Sequence, residues 1–257
     1  MAAGPAEPAY QRGARAAAEL RLELNLGIEP IADLWALIRQ RGVDLAFHDF
    51  GSDGPDGLYH WSGDAATVTV NKAKQRLRQR FTAAHELGHH ELHRPREGGE
   101  LIVADKDIFA RQEESEAAER EEEANAFAGH FLAPDPAIRR AITEPGPQLV
   151  AADVVELTRT FGISYQAMVY RIHNSGCILA GDRDRLLAAT RGRYVQLARE
   201  IGFNEQLAFP LPSDLPQDYE LTAMQVFVDD GINEERLADL LKTSVPEALA
   251  RVAQAGL

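Results

Sequence analysis

The stretch His85-Glu86-Leu87-Gly88-His89 carries two imidazoles and a carboxylate at a spacing that suits metal chemistry if the chain there is helical. Four residues at 100° each put His85 and His89 on one face, one turn apart, so both rings reach a single ion. Zinc takes nitrogen ligands at roughly 2.0–2.1 Å in a tetrahedron, and a catalytic zinc keeps one corner for water. Glu86 sits one step round the helix, beside the ion rather than on it. From there it takes a proton from the activated water and later returns it to a leaving amine.

The elements that position these groups follow from the flanking residues. Asn71 to Ala84 contains neither Pro nor Gly and many good helix formers, and Leu77, Phe81, Ala84, Leu87 and Leu92 recur at helical spacing. Pro95 marks the end. His93 shares the face of His85 and His89, but the three span about 12 Å at 1.5 Å per residue, too far for one zinc. The third ligand therefore comes from another element. A short motif of this kind also arises by chance, so that second element decides the reading. The extended metzincin pattern needs Gly in place of Leu92 and His in place of Pro95, which excludes that class.

The acidic run from Glu119 to Pro134 is the remaining source. Ala124, Phe127, Ala128 and Phe131 form an apolar stripe of helical period. Glu121, Ala124, Asn125 and Ala128 share the neighbouring face, where alanines admit a second helix. Glu121 is the expected third ligand, with Glu122 the alternative, while Glu119 and Glu123 read as solvated. Asn125, one turn on, is placed to hydrogen-bond a ligand histidine and fix its ring.

Taken together, Arg80 to His89, then Glu121 to Ala128 and Phe131-Leu132-Ala133-Pro134, resemble the ImmA/IrrE family of bacterial zinc metallopeptidases. The resemblance runs from about Ala18 to about Ile178. It implies that His85, His89 and Glu121 hold the metal and that Glu86 is the catalytic base. It also implies a substrate class, the helix-turn-helix transcriptional repressors cut under stress or by mobile elements. Ligand type alone accepts Mn2+ as well as Zn2+.

The rest of the chain sets limits on function. A net charge of −13 over 257 residues argues against nucleic acid as the main partner and suits a basic protein substrate. The lone Cys177 fits a reducing compartment and reads as a small buried apolar residue. No run approaches the roughly 18–20 apolar residues of a membrane span, and Met1 to Pro8 lacks the pattern of a signal peptide. These features imply a cytoplasmic protein.

Helices are expected over Arg12–Leu26 and Ile31–Arg41, the latter with Pro30 in its first turn. Strands are expected over Val43–Phe47, Leu58–Trp61 and Ala66–Val70, with Gly51–Gly57 a loop and Ser62-Gly63-Asp64 a turn. An edge of this sheet, the strand over Thr67–Val70, is expected to pair with an extended peptide substrate. Tyr59 and His60 are candidate donors to the oxyanion, though either type is more often structural. Residues 97–119 read as a connection that gates the cleft or simply lies on the surface.

Pro145-Gly146-Pro147 reads as a boundary. Val150–Phe161, Gly162-Ile163-Ser164 and Tyr165–Ile172 then give a helix-turn-helix pattern. Its second helix offers one arginine and no lysine, thin for phosphate, so a docking or packing module is favoured over a DNA reader. Asp184–Ile201, Tyr219–Asp229, Glu234–Leu241 and Val245–Ala255 are further expected helices around a proline-punctuated linker at 209–216.

The expected fold is α+β and mainly helical. It has a small antiparallel sheet packed on the motif helix, then a helix-turn-helix-like module and a C-terminal helical region. The expected divisions are a flexible tail over 1–10, a metallopeptidase domain over 11–143, the helix-turn-helix-like module over 144–182 and the C-terminal region over 183–257. The function implied is zinc-dependent cleavage of a repressor. The rival from another class is a non-proteolytic transcriptional regulator that binds a repressor or DNA.

Overall fold

A computed structural model describes residues 7–63, 65–95, 99–105, 116–142, 149–190, 192–212, 215 and 217–257. The described chain runs α1 (Ala9–Glu23), α2 (Leu34–Gln40), β1 (Val43–His48), β2 (Gly57–Ser62), β3 (Ala65–Asn71), α3 (Arg76–His93), β4 (Glu100–Asp105), α4 (Glu116–Leu132) and α5 (Asp135–Ile142). It continues with α6 (Ala151–Phe161), α7 (Tyr165–Asn174), α8 (Ala180–Ala189), α9 (Tyr194–Glu200), α10 (Glu205–Ala208), α11 (Gln217–Val228), α12 (Glu234–Leu240) and α13 (Val245–Ala255). The fold is α+β and mainly helical, as expected. It forms two compact units, Met1–Leu197 and Ala198–Leu257.

The sheet differs from the expectation in two ways. Its strand order is β1-β3-β2-β4, and β1 pairs with β3 in parallel, so the sheet is mixed rather than antiparallel. A parallel neighbour was not legible because the chain from β1 back to β3 passes through β2, which itself pairs with β3 antiparallel. β4 was missed: it lies in the polar connection of 97–119, where Leu101, Ile102 and Val103 are a weak strand signal beside the surrounding charge. Peptide docking on the Thr67–Val70 strand is therefore excluded. β3 is hydrogen-bonded on both sides, and the outer strands are β1 and β4. Asp64, residues 96–98 and 106–115 of the connection, and Pro145-Gly146-Pro147 lie outside the described residues.

Two helix starts also shift. α3 begins at Arg76, not Asn71, because a local side-chain network holds 71–75 as a turn. Asn71 is fully buried. Its Nδ2 donates to the Gly51 and Pro55 carbonyls at 2.9 and 2.8 Å, and its Oδ1 accepts from Ala73 N–H at 3.0 Å. Gln79 Nε2 holds the other side through the Lys72 and Lys74 carbonyls, at 3.0 and 2.7 Å. These bonds satisfy backbone groups that a longer helix would have paired. Likewise α2 starts after Asp33, whose Oδ1 accepts from Ala36 N–H at 2.9 Å, so the cap rather than Pro30 sets its beginning. α1 begins at Ala9, inside the stretch read as a flexible tail.

Helices α1, α3 and α4 pack at close range because small residues stand where they cross. A Cβ on Gly13 of α1 would lie 2.1 Å from the Glu123 carbonyl oxygen of α4. A Cβ on Gly88 of α3 would lie 3.2 Å from Ala124 Cα and 3.1 Å from Phe127 Cδ1. Ala124 and Ala128 are fully buried, as are Phe127 and Phe131. Such close packing leaves no room for a larger side chain between α3 and α4, which matters for any site shared between them.

Beyond α4 come α5, absent from the sequence reading, and the pair α6–α7. Gly162, at φ +65°, takes the left-handed conformation that ends α6. Ser164 caps α7, its side chain accepting from Ala167 N–H at 3.3 Å. Val154, Phe161, Ile163, Met168 and Ile172 are buried between them. Arg171 of α7 is also buried. It donates to the Gly129 and Ala133 carbonyls and to the Asp135 carboxylate at 2.5 Å. Arg80 of α3 reaches the Gly162 and Ile31 carbonyls at 3.3 and 3.0 Å, which fastens the α6–α7 turn to the motif helix. Cys177 is half-buried and accepts from Ser175 Oγ at 3.1 Å, so it is not the buried apolar residue expected.

The helix expected over Asp184–Ile201 is broken into α8 and α9, with Gly192 at φ +71° between them. In the second unit, Ala223, Met224, Leu237, Ala238, Leu241, Ala248 and Val252 form a small helical core. No helix among the described residues is long and apolar enough to cross a membrane.

Candidate metal centre

α3 and α4 bring His85, His89 and Glu121 together, with one ligand atom from each within 4.8 Å of the others. His85 Nε2 and His89 Nε2 lie 3.0 Å apart. The Glu121 carboxylate is 3.2 Å from the first and 3.4 Å from the second. Ligands held at roughly 2.0–2.1 Å in a tetrahedron are themselves about 3.3–3.4 Å apart, so the donor set has the dimensions of a zinc cage. Two imidazole nitrogens and one carboxylate oxygen also match the ligand types of a catalytic site, which takes three from the protein.

The electrostatics prepare the same atoms. Burial pushes the His89 imidazolium down to about 4, against the opposing pull of Glu121, so the ring is neutral and its lone pair is available near neutral pH. Burial by itself would raise the Glu121 carboxyl, but the His85 and His89 rings beside it outweigh that. They hold the group well below the usual carboxylate range, as an anion. Asn125 of α4 has its Oδ1 3.2 Å from His85 Nδ1. That bond makes Nδ1 the protonated nitrogen and turns Nε2 toward Glu121.

Glu86 is fully buried. Its position is set from outside the motif helix, by a residue of the stretch 51–57 expected to be a loop. Gly57, the first residue of β2, sits so close that a Cβ there would lie 2.5 Å from Glu86 Oε1 and 2.4 Å from Thr82 Cγ2. The start of β2 is held down by Asp56, fully buried, which accepts from Arg78 of α3 at 2.5 Å and pairs with Lys74 at 3.3 Å. Only a turn-type residue beside a strand signalled Gly57, and a glycine at close approach looks the same in sequence as one in a loop. Gly57→Ala is expected to displace the Glu86 carboxylate. Cleavage should fall by about tenfold or more while bound metal per chain stays unchanged, since a misplaced base loses part of a 10²–10⁴-fold contribution. Metal analysis beside a cleavage assay checks this.

Tyr59 and His60, the candidate oxyanion donors, are neighbours in β2 and point to opposite faces of the sheet. Tyr59 points to the α3 face of the sheet, is fully buried, and has its hydroxyl 3.1 Å from His90 Nδ1. Burial pushes that hydroxyl up to about 12. His60 points to the opposite face and meets Glu100 of β4 at 3.1 Å. Glu123, read as solvated, is buried and contacts His93 at 2.6 Å. Glu119, by contrast, remains exposed. The cavity of about 340 Å³ lined by Trp61, Glu91, Leu92, Arg94 and Pro95 lies at the end of α3 and includes none of the three candidate ligands.

Comparison with known proteins agrees with this geometry. The chain is similar to the radiation response metalloprotease IrrE of Deinococcus radiodurans, 27% identical over 136 residues, which are 51% of this chain and 37% of that protein. The chain thus aligns with little more than a third of the relative's length. Residues 38–173, spanning the sheet, the histidine helix, the glutamate helix and the α6–α7 pair, match the IrrE N-terminal-like domain of peptidase family M78; more than half of the chain lies in that match, and the chain belongs to this metallopeptidase family.

Proposed function

We propose that this chain is a zinc-dependent endopeptidase that cleaves a helix-turn-helix transcriptional repressor in a bacterial stress or mobile-element response. The observation that carries the reading is the convergence of His85 and His89 of α3 with Glu121 of α4, at spacings of 3.0–3.4 Å, beside Glu86. When bound, zinc supplies a Lewis acid and lowers the pKa of water toward 7. Glu86 accepts the proton of the attacking water and returns it to the amine that leaves. Glu121 rather than Glu122 completes the donor set, because only Glu121 lies with both imidazoles. Manganese satisfies the same ligand types.

The substrate class rests on chemistry of the surface and on the relative. A net charge of −13 attracts a basic partner, as DNA-binding repressors are. The relative from Deinococcus radiodurans is a radiation response metalloprotease, and by similarity we assign a stress role here. We read residues 11–143 as the peptidase domain, 144–182 as a docking module and 183–257 as a C-terminal region, in a cytoplasmic protein.

The rival reading, a DNA-binding regulator, loses support from α7. Its one arginine, Arg171, is committed to backbone carbonyls and Asp135, and its exposed side chains are Gln166, Tyr170 and Asn174. None of the three is a cation, and phosphate binding relies on clustered cations. The test is co-expression with helix-turn-helix repressors encoded nearby, followed by a search for fragments. Fragments with the wild type and none with Glu86→Gln are the expected result. Intact repressors beside a metal-loaded wild type, together with retention on DNA at moderate salt, would overturn the reading.

A further inference from the structure

His89 has a second nitrogen that the metal centre does not use, and a chain of buried groups leads away from it. His89 Nδ1 lies 2.8 Å from His93 Nδ1. His93 Nε2 lies 2.6 Å from Glu123 Oε2. The other Glu123 oxygen accepts from Arg12 Nε, and Arg12 also donates to Glu119 at 2.9 Å. The His93 and Glu123 side chains are only 6% and 10% exposed, so water does not replace these bonds.

One arrangement of the hydrogens along this chain leaves the Nε2 lone pair of His89 available to a metal. Two ring nitrogens at 2.8 Å share one hydrogen between them. If His89 offers its Nε2 lone pair to a metal, its hydrogen is on Nδ1 and is donated to His93 Nδ1. His93 then carries its own hydrogen on Nε2 and donates it to Glu123. The Glu123 carboxylate is in turn held by the Arg12 guanidinium. Every link is satisfied, and the tautomer that results is the one the metal needs.

We propose that His93, Glu123 and Arg12 are positioning residues that fix the tautomer and ring orientation of His89, and that α1 is thereby a working part of the metal centre. Arg12 lies outside residues 38–173, the span that matches the family. Gly13, next to it, lets α1 approach the Glu123 backbone. The same two residues bring the guanidinium to the carboxylate and the helix to its neighbour. The proposal rests on the reading of His85, His89 and Glu121 as ligands, and deepens it.

The test uses the full chain and Zn2+ alone, titrated against a chromophoric chelator, with far-UV circular dichroism of each metal-free protein. His93→Phe keeps a ring but removes the acceptor for His89 Nδ1–H. Glu123→Leu removes the next link. Each is expected to weaken zinc binding about 10–100-fold, the usual effect of losing a residue that orients a ligand. Glu123→Gln, whose amide oxygen still accepts from His93, is expected to recover part of the loss, which a purely structural role would not produce. Arg12→Gln should weaken binding in the same direction. Arg15→Gln, on the exposed side of α1, should leave it unchanged. Affinities of His93→Phe and Glu123→Leu within about twofold of wild type would overturn the proposal. So would a loss that tracks lost helicity in the metal-free protein and is not relieved by Glu123→Gln. A wild type that binds no zinc would instead end the ligand reading itself.

Discussion

Glu86→Gln is expected to keep its metal and its fold while losing cleavage by at least about 10²–10⁴-fold, the usual contribution of a positioned general base. The substitution is nearly isosteric, so it neither opens a cavity beside Thr82 nor strains the contact with Gly57. What changes is chemistry, since an amide cannot take the proton of water at neutral pH. The side chain is fully buried, and a neutral amide there costs less desolvation than a carboxylate. The denaturation midpoint of the metal-free variant should therefore not fall. Metal per chain, unfolding and repressor cleavage on one preparation separate these effects. Cleavage by Glu86→Gln at the wild-type rate would remove Glu86 from the role assigned to it.

His85→Ala is expected to lose metal and cleavage together. It removes one of three donor atoms, and it leaves Asn125 Oδ1 without the hydrogen it accepts now. Losing a Lewis acid that contributes several kcal/mol lowers turnover by at least about 10³-fold. Stability should respond as well. An ion that binds only the folded chain stabilises it by about 4 kcal/mol when present at 1,000 times its Kd. Zinc should therefore raise the melting temperature of the wild type and leave that of His85→Ala where it was. Equal zinc-dependent shifts in both would show that the ion is held elsewhere. The contrast with Glu86→Gln distinguishes a ligand from a base, because the two share a helix turn and differ only in what they do there.

How much of this was legible in the sequence depended on whether a feature is local. The His85/His89 pair follows from helix periodicity alone, and α3 holds both on one face. Glu121 and Asn125 were within reach because a helix with alanines at 124 and 128 has a face that another helix can approach. Features set by strand order were not. The parallel pairing of β1 with β3, and the interior place of β3, depend on where the chain returns rather than on any residue in the strand. β4 was hidden by charged flanks and by a propensity too weak to outweigh them.

Tertiary partners also overrode local signals. Asn71 and Gln79 delayed the start of α3 by hydrogen-bonding a loop more than fifteen residues earlier and a turn alongside. Glu123 read as one charge among many because its partners, His93 and Arg12, are 30 and 111 residues away. Gly57 carried no mark that separated a close approach from a bend.

The measurement that bears most directly on the account is the position of the ion itself. A crystal of the zinc-loaded wild type, with diffraction recorded on both sides of the zinc absorption edge, locates it without assumption. The expected result is one anomalous peak per chain, roughly 2.0–2.1 Å from His85 Nε2, His89 Nε2 and a Glu121 carboxylate oxygen. A peak bound by other residues, or none between α3 and α4 in a crystal that holds zinc elsewhere, would contradict it.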